Sequence, residues 1–315
     1  MYRIFDISLD SDIPLPELPE SGVIDDDFIL PIRIGDENAT YTNRIIWSHD
    51  WKDNDDETFL ACGSVKEGTL LRFTNLVDFV ISSQLDSIEY YPEAATPAQT
   101  LRHLLLDQVV PRILGQRGKL VLHASAVILK ENTGIIFVGD SGWGKSTLAS
   151  SFHQSGKRLI TDDCLLLSVE NGEVFSVPNY YGVRLFQDSV KYIFKGHDST
   201  TVAHYIDKKR VTLKDQDTPD TLSEVKLSAI ILLGKPEQKA HSININIQEI
   251  KGASQMMTLF EQIFIMDICN KELASKLFKQ IGKITETKLP VYSIQYPREY
   301  KKLREVREAI ELLLD

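Results

Sequence analysis

The apolar positions of the first ninety residues fall in short runs. YRIFDISL, LPIRI, ATYTNRIIW, TLLRFTN and DFVISS are rich in β-branched and aromatic residues, with Gly, Asp, Asn and Pro between them. Runs of this kind predict strands, so residues 1–95 read as a β-rich N-terminal domain. The spacing changes at Pro97. In PAQTLRHLLLDQVVPRILGQRG, the residues Leu101, Leu104, Leu105, Val109 and Ile113 recur at the spacing of one helical face. Residues 96–118 read as a linking helix, which Pro111 is expected to kink or end and Gly115 or Gly118 to close.

From residue 119 to 315 strands and helices mix. KLVLHASAVIL and IIFVG predict two strands joined by a turn at KENTG, KSTLASSFHQSG a helix that stops at Gly156, and KRLITDD a further strand. CLLLSVENGEVFSVP reads as a hairpin about Asn171-Gly172, and Asp188 to Phe194 as a short helix. VKLSAIILLG, HSININIQEI and VYSIQY read as strands, and residues 255–266 and 271–281 as helices. PREYKKLREVREAIELLL reads as a final amphipathic helix opened by Pro297. The expected fold class is α/β of mixed, α+β character.

Composition narrows the partners. The 315 residues carry a formal charge of -10 and are 43% hydrophobic. A chain this acidic is poorly suited to tracking a phosphate backbone, so nucleic acid is not expected as a partner. Acidic residues crowd the N-terminal part, at Asp25 to Asp27 and at Asp53, Asp55, Asp56 and Glu57. They read as solvated loops or as a docking face for a basic partner. Cys62, Cys164 and Cys269 are widely spaced and form no C-x-x-C pair, which excludes a disulfide framework or zinc knot and suits the reducing cytoplasm. The N-terminus lacks the apolar core of a signal peptide, and no apolar run is long enough to span a membrane.

The candidate chemistry starts at VGDSGWGKST, Val138 to Thr147, which contains G-x-x-x-x-G-K-S between an apolar strand and a helix. This is the pattern and the context of a phosphate-binding loop. Gly139, Asp140, Ser141, Gly142, Trp143 and Gly144 would wrap the phosphates with backbone N–H groups, and the positive end of the following helix adds to the attraction. Lys145 is suited to the β- and γ-phosphates of ATP, Ser146 to Mg²⁺, and Thr147 completes the loop. Trp143 reads as a wall or lid. An LSGGQ-like signature and an N-K-x-D motif are both missing, so a transport cassette and a small GTPase are excluded. Asp162 and Asp163 end the KRLITDD strand, which a crossover should return to the loop. One carboxylate could hold Mg²⁺ and the other accept a proton from an attacking hydroxyl. His123, on the preceding strand, reads equally as a core residue or a site residue. Arg184 and the run Lys208-Lys209-Arg210 are the basic groups available to neutralise a transferring phosphoryl group.

LHASAV, GDSGWGKSTLA and KRLITDD, in that order and spacing, resemble the catalytic domain of the HPr kinase/phosphorylase family, which is related to ATP-dependent phosphoenolpyruvate carboxykinase. The likeness is strong over Leu120 to Phe186. It implies a P-loop kinase core that phosphorylates a serine hydroxyl, with Asp162 as the base, Asp163 as its metal-side neighbour and His123 matching a family histidine. The family's E-I-R-G-x-G signature is replaced by VPNYYGVRLFQDS, so the reverse phosphorylase activity, HPr itself and hexameric assembly are not carried over. The opening YRIFDISLDSDIPLPELP and GVRLFQDS look like the stand-alone kinases of peptide-modification pathways, lasso-peptide precursor kinases among them. The expected activity is Mg·ATP-dependent phosphorylation of a serine in a peptide or small protein, by a protein that could be oligomeric. A kinase for a small molecule such as free serine, and a nucleotide-gated regulator without transfer activity, remain alternatives.

Overall fold

The computed structural model describes residues 1–20, 28–36, 44–52, 56–130, 133–178, 180, 182–203, 206–211, 224–236, 244–267 and 269–315. The expectations at Asp25 to Asp27, Asp53, Asp55, most of ATYTNRIIW, the centre of the KENTG turn and the start of HSININIQEI lie outside the described residues. The chain divides into two compact units, Met1–Gly118 with Ile265–Ala274, and Lys119–Phe264 with Ser275–Asp315.

The first unit is built on one sheet. Its strands are β1 (Tyr2–Ile4), β2 (Ile7–Ser11), β3 (Phe28–Ile34), β4 (Ile46–Lys52), β5 (Thr58–Val65), β6 (Gly68–Phe73), β7 (Val77–Ser82) and β8 (Ile88–Pro92), in the order β1-β2-β3-β8-β7-β6-β5-β4. YRIFDISL is two strands rather than one, because the chain turns at Phe5-Asp6 and pairs Ile4 with Ile7. The turn lets Ile4, Phe5, Ile7 and Leu9 all enter the core, which a single extended strand with alternating faces would not. β5 and β8 do not correspond to any run singled out in the sequence. The helix after Pro97 runs as α1 (Ala98–Leu104), a π-helical segment (Leu105–Val109) and α2 (Val110–Gln116). Pro111 neither ends nor breaks it. The wider turn stands just before the proline, where its ring would otherwise meet a carbonyl of the preceding turn. Leu104, Leu105, Val109 and Ile113 are fully buried, as their spacing predicts.

The second unit holds the glycine loop and the paired acids. Its central strands are β9 (Leu120–Lys130), β10 (Thr133–Val138), β11 (Arg158–Thr161), β12 (Cys164–Glu170) and β13 (Glu173–Pro178). β12 and β13 form the hairpin expected about Asn171-Gly172. α3 (Lys145–Gln154) joins β10 to β11. β14 (Val183–Phe186), α4 (Gln187–Ile193), β15 (Ser199–Ala203) and β16 (Ile206–Val211) follow, with the three strands forming a small separate sheet in the order β14-β16-β15. β17 (Val225–Leu233), β18 (Asn246–Ile250), α5 (Ala253–Glu261), α6 (Lys271–Glu286), β19 (Val291–Gln295) and α7 (Leu303–Leu313) complete the described elements. β10 pairs with β9 and β17, β17 with β13, β13 with β12, and β12 with β9, so these five strands form a closed hydrogen-bonded circuit. The final helix starts at Leu303 instead of Pro297, after a 3-10 turn at Tyr300–Lys302.

α3 lies against this sheet through Leu148, Ala149 and Phe152, in one cluster with Phe137, Leu303, Val306 and Ile310. Phe152 stacks on Phe137 with centroids 5.7 Å apart. Truncating a phenylalanine buried this fully costs about 3–5 kcal/mol. The packing fixes the start of α3 over the end of β10, which is where the glycine loop must be held.

Candidate active site

The loop between β10 and α3 bends through positive φ at Gly139, Gly142 and Gly144 (140°, 80° and 94°). At Gly139 the space is also closed, since a Cβ would come within 3.1 Å of the Leu233 carbonyl and of the Trp143 ring. The loop is braced from three sides. Lys145 Nζ donates to the carbonyls of Gly139 (2.7 Å) and Asp140 (3.1 Å). The Gly139 N–H donates to Gln262 Oε1 at 3.1 Å, across 123 residues of sequence. Trp143 packs against the core rather than forming a wall or lid.

β9 connects the loop to the paired acids. Ala124 pairs with Val138, the last residue of β10, and its N–H donates to the Asp163 carbonyl (3.2 Å). The acids are therefore one strand away from the loop, because β11 pairs with β9 and not with β10. His123, beside Ala124, pairs with Cys164 and donates its N–H to the Gln262 carbonyl (2.8 Å).

The two acids face different ways. Asp162 is 1% exposed and points into the protein. Its Oδ1 accepts from Ser125 Oγ (2.6 Å) and its Oδ2 from the Arg184 main-chain N–H (3.0 Å). Asp163 has φ 75°, a left-handed conformation that an aspartate tolerates better than most residues. Its Oδ2 accepts from Arg184 Nη1 (2.5 Å), and its Oδ1 stands 3.9 Å from both His123 Nε2 and Lys208 Nζ. Burial and the neighbouring Asp163 raise the Asp162 pKa. The Lys208 and Arg184 cations outweigh burial at Asp163 and hold its carboxyl well below the usual range.

The far wall comes from β14 and β16, which pair Arg184 with Arg210 and Phe186 with Lys208. Alternation along β16 sorts the basic run. Lys208 turns to Asp163, whereas Lys209 turns outward and donates to Thr201 Oγ1 at 3.1 Å. Arg184, 2% exposed, also donates through Nη2 to the Tyr180 hydroxyl, and Arg210 Nη2 reaches the same hydroxyl at 3.4 Å. Both guanidiniums lie against the Tyr180 ring, 4.9 and 5.6 Å from its centroid.

These elements enclose a cavity of about 60 Å³. Ser141, Gly142, Gly144, Lys145, Ser146 and Thr147 line it from the loop, and His123, Asp163, Arg184, Phe186 and Lys208 from the other sides. Gly139, Asp140, Trp143, Asp162 and Arg210, all named from sequence, do not line it. Burial, with Lys145 close by, lowers the His123 pKa to about 4, so its imidazole is neutral at pH 7. Burial lowers the Lys145 pKa to about 8, against the opposing pull of Asp163. Ser125, Tyr180, Phe186 and Gln262 were not singled out in the sequence. Their types are common and their distance from the loop in sequence hides them, although Ser125 lies within LHASAV and Tyr180 and Phe186 lie within VPNYYGVRLFQDS.

Among the described residues no group of three or more His, Cys, Asp or Glu side chains is placed to hold a metal ion, and no helix is long and apolar enough to cross a membrane. No protein-family model matches the sequence, and no curated protein matches it. In structure the chain is similar to the Hpr(Ser) kinase/phosphatase from Coxiella burnetii, with a TM-score of 0.29 and 14% sequence identity over 61% of this chain and 98% of that chain. At that score and identity the likeness decides neither family nor activity.

Proposed function

We propose that the second unit is a phosphotransferase with a P-loop kinase core of the HPr-kinase type, which uses Mg·ATP to phosphorylate a serine hydroxyl of a peptide or small protein. The observation that carries this reading is a single cavity shared by two kinds of group. One is a glycine loop with Lys145 and Ser146 at the start of a helix, and the other is a carboxylate, Asp163, flanked by Arg184 and Lys208. The first suits a polyphosphate. The second suits a group that develops charge while a hydroxyl attacks.

In this reading the loop N–H groups and Lys145 bind the β- and γ-phosphates, while Lys208 and Arg184 face the transferred phosphoryl group. The roles expected of the two acids change. Asp162 is enclosed, with Ser125 and the Arg184 backbone on its oxygens, so it positions the turn instead of acting as the base. Asp163 already has two cations beside it, which disfavours a third in the form of a metal ion. It orients the acceptor hydroxyl and takes its proton. A carboxylate of low proton affinity is adequate, because in a loose phosphoryl transfer the attacking oxygen gives up its proton late. The residues fit a Mg²⁺ ion that arrives with the nucleotide. Ser146 supplies a hard oxygen in the cavity, and Mg²⁺ commonly takes one or two protein ligands beside phosphates and water. When bound it would neutralise phosphate charge. His123, neutral and beside Asp163, shapes the wall.

The acceptor is a serine in a ribosomally made precursor, of the lasso-peptide kind. The test is transfer from γ-labelled ATP to serine-containing peptides and, separately, to free amino acids and other hydroxyl metabolites. Labelled peptide is the expected result. Label only in a metabolite would overturn the peptide acceptor, and no transfer to any hydroxyl, despite ATP binding, would favour a nucleotide-gated regulator.

A further inference from the structure

The sheet of the first unit ends differently on its two sides. At one end β1 is covered, because Tyr2 bridges to Glu20 and the Arg3 N–H donates to the Pro19 carbonyl (3.3 Å). At the other end β4 pairs with β5, and among the described residues no strand adds to its outer side. An open edge presents a row of backbone N–H and C=O groups to any chain that can pair with it, and edges are commonly blunted by charge for that reason. β4 instead opens with Ile46, 73% exposed, and Trp47, 46% exposed. Register shifts between Trp47 and His49 and between Trp51 and Lys52 keep the regular stretch short.

The edge is held still. Arg72 lies over the Trp47 ring, 5.2 Å from its centroid, and is itself clamped by Asp78 through Nε (2.9 Å) and Nη2 (2.6 Å). Arg112 lies over the Trp51 ring at 5.1 Å, and Ser48 Oγ donates to the Cys62 carbonyl at 3.0 Å. A strand fixed in this way loses little freedom when it is paired.

Charge says what kind of chain fits. Residues 1–118 contain 21 Asp and Glu against 9 Lys and Arg, whereas residues 119–315 contain 24 against 26. The net negative charge thus belongs to the part of the chain that builds this sheet. On β4 itself Asp50 is exposed, and Lys52, its only Lys or Arg, is paired with Asp56 at 3.0 Å. The sequence runs on from β4 into Asp53, Asp55, Asp56 and Glu57. A second copy of this chain would bring like charge against like charge across the edge, and a basic segment would not.

We infer that the β4 edge docks a basic segment of the peptide substrate, which joins the sheet as an added extended strand. Main-chain pairing supplies part of the affinity, and Ile46 and Trp47 offer apolar contact to alternate side chains of the newcomer. Its Lys and Arg residues meet the acidic field of this unit. That the segment belongs to the substrate rests on the proposed peptide acceptor, whereas the docking of a basic strand does not.

Calorimetric titration of the full chain with three synthetic peptides of one length tests the edge. The first alternates Lys with Val and Thr. The second carries Glu in place of every Lys. The third is the first with N-methyl groups on alternate residues, which block main-chain pairing. The first should bind, less tightly as salt rises, and the other two should bind at least about tenfold more weakly. Ile46→Lys puts a cation on an exposed position of the edge. It should weaken the first peptide about tenfold with an unchanged thermal melt. Failure of the first peptide to bind would overturn the inference, and so would equal binding of the Glu or the methylated peptide, or binding that Ile46→Lys leaves intact. A dimer in sedimentation that Ile46→Lys dissociates would give the edge to a second copy instead. With peptide acceptors that carry such a segment, Ile46→Lys should raise KM and leave kcat unchanged, and an unaltered KM would detach the docked strand from the substrate. Docking as expected without transfer to any peptide would end the acceptor reading alone.

Discussion

The two walls of the cavity are made in opposite ways. The loop wall comes from the single stretch Ser141 to Thr147, Trp143 apart, whose groups are placed by local backbone geometry. The facing wall gathers His123, Asp163, Arg184 and Lys208 from four separate strands or their ends. The loop is held by the packing of α3 on the core, by Lys145 on its own carbonyls and by Gln262 as a distant brace. The facing wall depends on the pairing of β14 with β16 and on the turn at Asp163. Phosphate binding and phosphoryl transfer should thus fail separately, and substitutions on the two walls can show whether they do.

The largest separation is expected between the adjacent acids. Asp163→Asn removes the carboxylate that faces the cavity, so transfer should fall roughly 10²–10⁴-fold, the range for a lost general base. Nucleotide affinity should stay within a few-fold. Asp162→Ala should act through folding. It removes the buried acceptor of the Ser125 hydroxyl and of the Arg184 main-chain N–H, which costs about 1–3 kcal/mol in a thermal melt. A variant at Asp162 that folds normally and loses as much transfer as Asp163→Asn would restore Asp162 as the base.

A smaller contrast sets Lys145 against Lys208. Lys145→Ala should weaken Mg·ATP about 10- to 100-fold, since a hydrogen bond to a charged group contributes about 1.5–3 kcal/mol. Lys208 is more open to solvent, with 20% of its side chain exposed. In the proposed reading it faces the transferred group, so Lys208→Ala should lower the transfer rate by about tenfold and leave binding nearly unchanged. Rapid-quench transfer and equilibrium titration on the two variants read these effects apart. Matching losses of affinity in both would mean that the two walls act as one phosphate clamp.

The same division explains what the sequence revealed. The loop was legible because its pattern is written in consecutive residues with fixed spacing. The hairpin at Asn171-Gly172 and the apolar face of the helix after Pro97 were legible for the same local reason. Four features needed tertiary structure. The orientation of Asp162 against Asp163 is set by a left-handed φ at the second residue. The choice of Lys208 over Lys209 follows from which side of β16 meets β14's neighbours, and a run of three basic residues cannot show that. Gln262 reaches Gly139 across 123 residues. Tyr180 gathers Arg184 and Arg210, and although it lies within VPNYYGVRLFQDS the sequence does not show which residue of that segment does so. The split of YRIFDISL into a hairpin has a different origin, because periodicity registers apolar content but not a turn that buries both arms.

The smallest effect tests the loop by pH alone. Burial lowers the Lys145 pKa from 10.5 to about 8. Nucleotide phosphates favour the ammonium form, so the pKa must rise on binding, and binding above pH 8 must take up a proton. Affinity for Mg·ATP should therefore fall about tenfold between pH 7 and pH 9. Titrations in buffers of different ionisation enthalpy should show proton uptake that grows through pH 8. Folding responds with the opposite sign. Between about 8 and 10.5 the unfolded chain holds a proton on this lysine that the folded chain has lost, so this group makes stability rise with pH across that window. Asp163, held ionised well below this range by Lys208 and Arg184, contributes nothing to either trend. Affinity that stays flat from pH 7 to 9 would mean that Lys145 keeps its charge without the nucleotide, and that its burial does not describe the free protein. A decline that persists in Lys145→Ala would assign the titration to another group and remove the loop wall's claim to it.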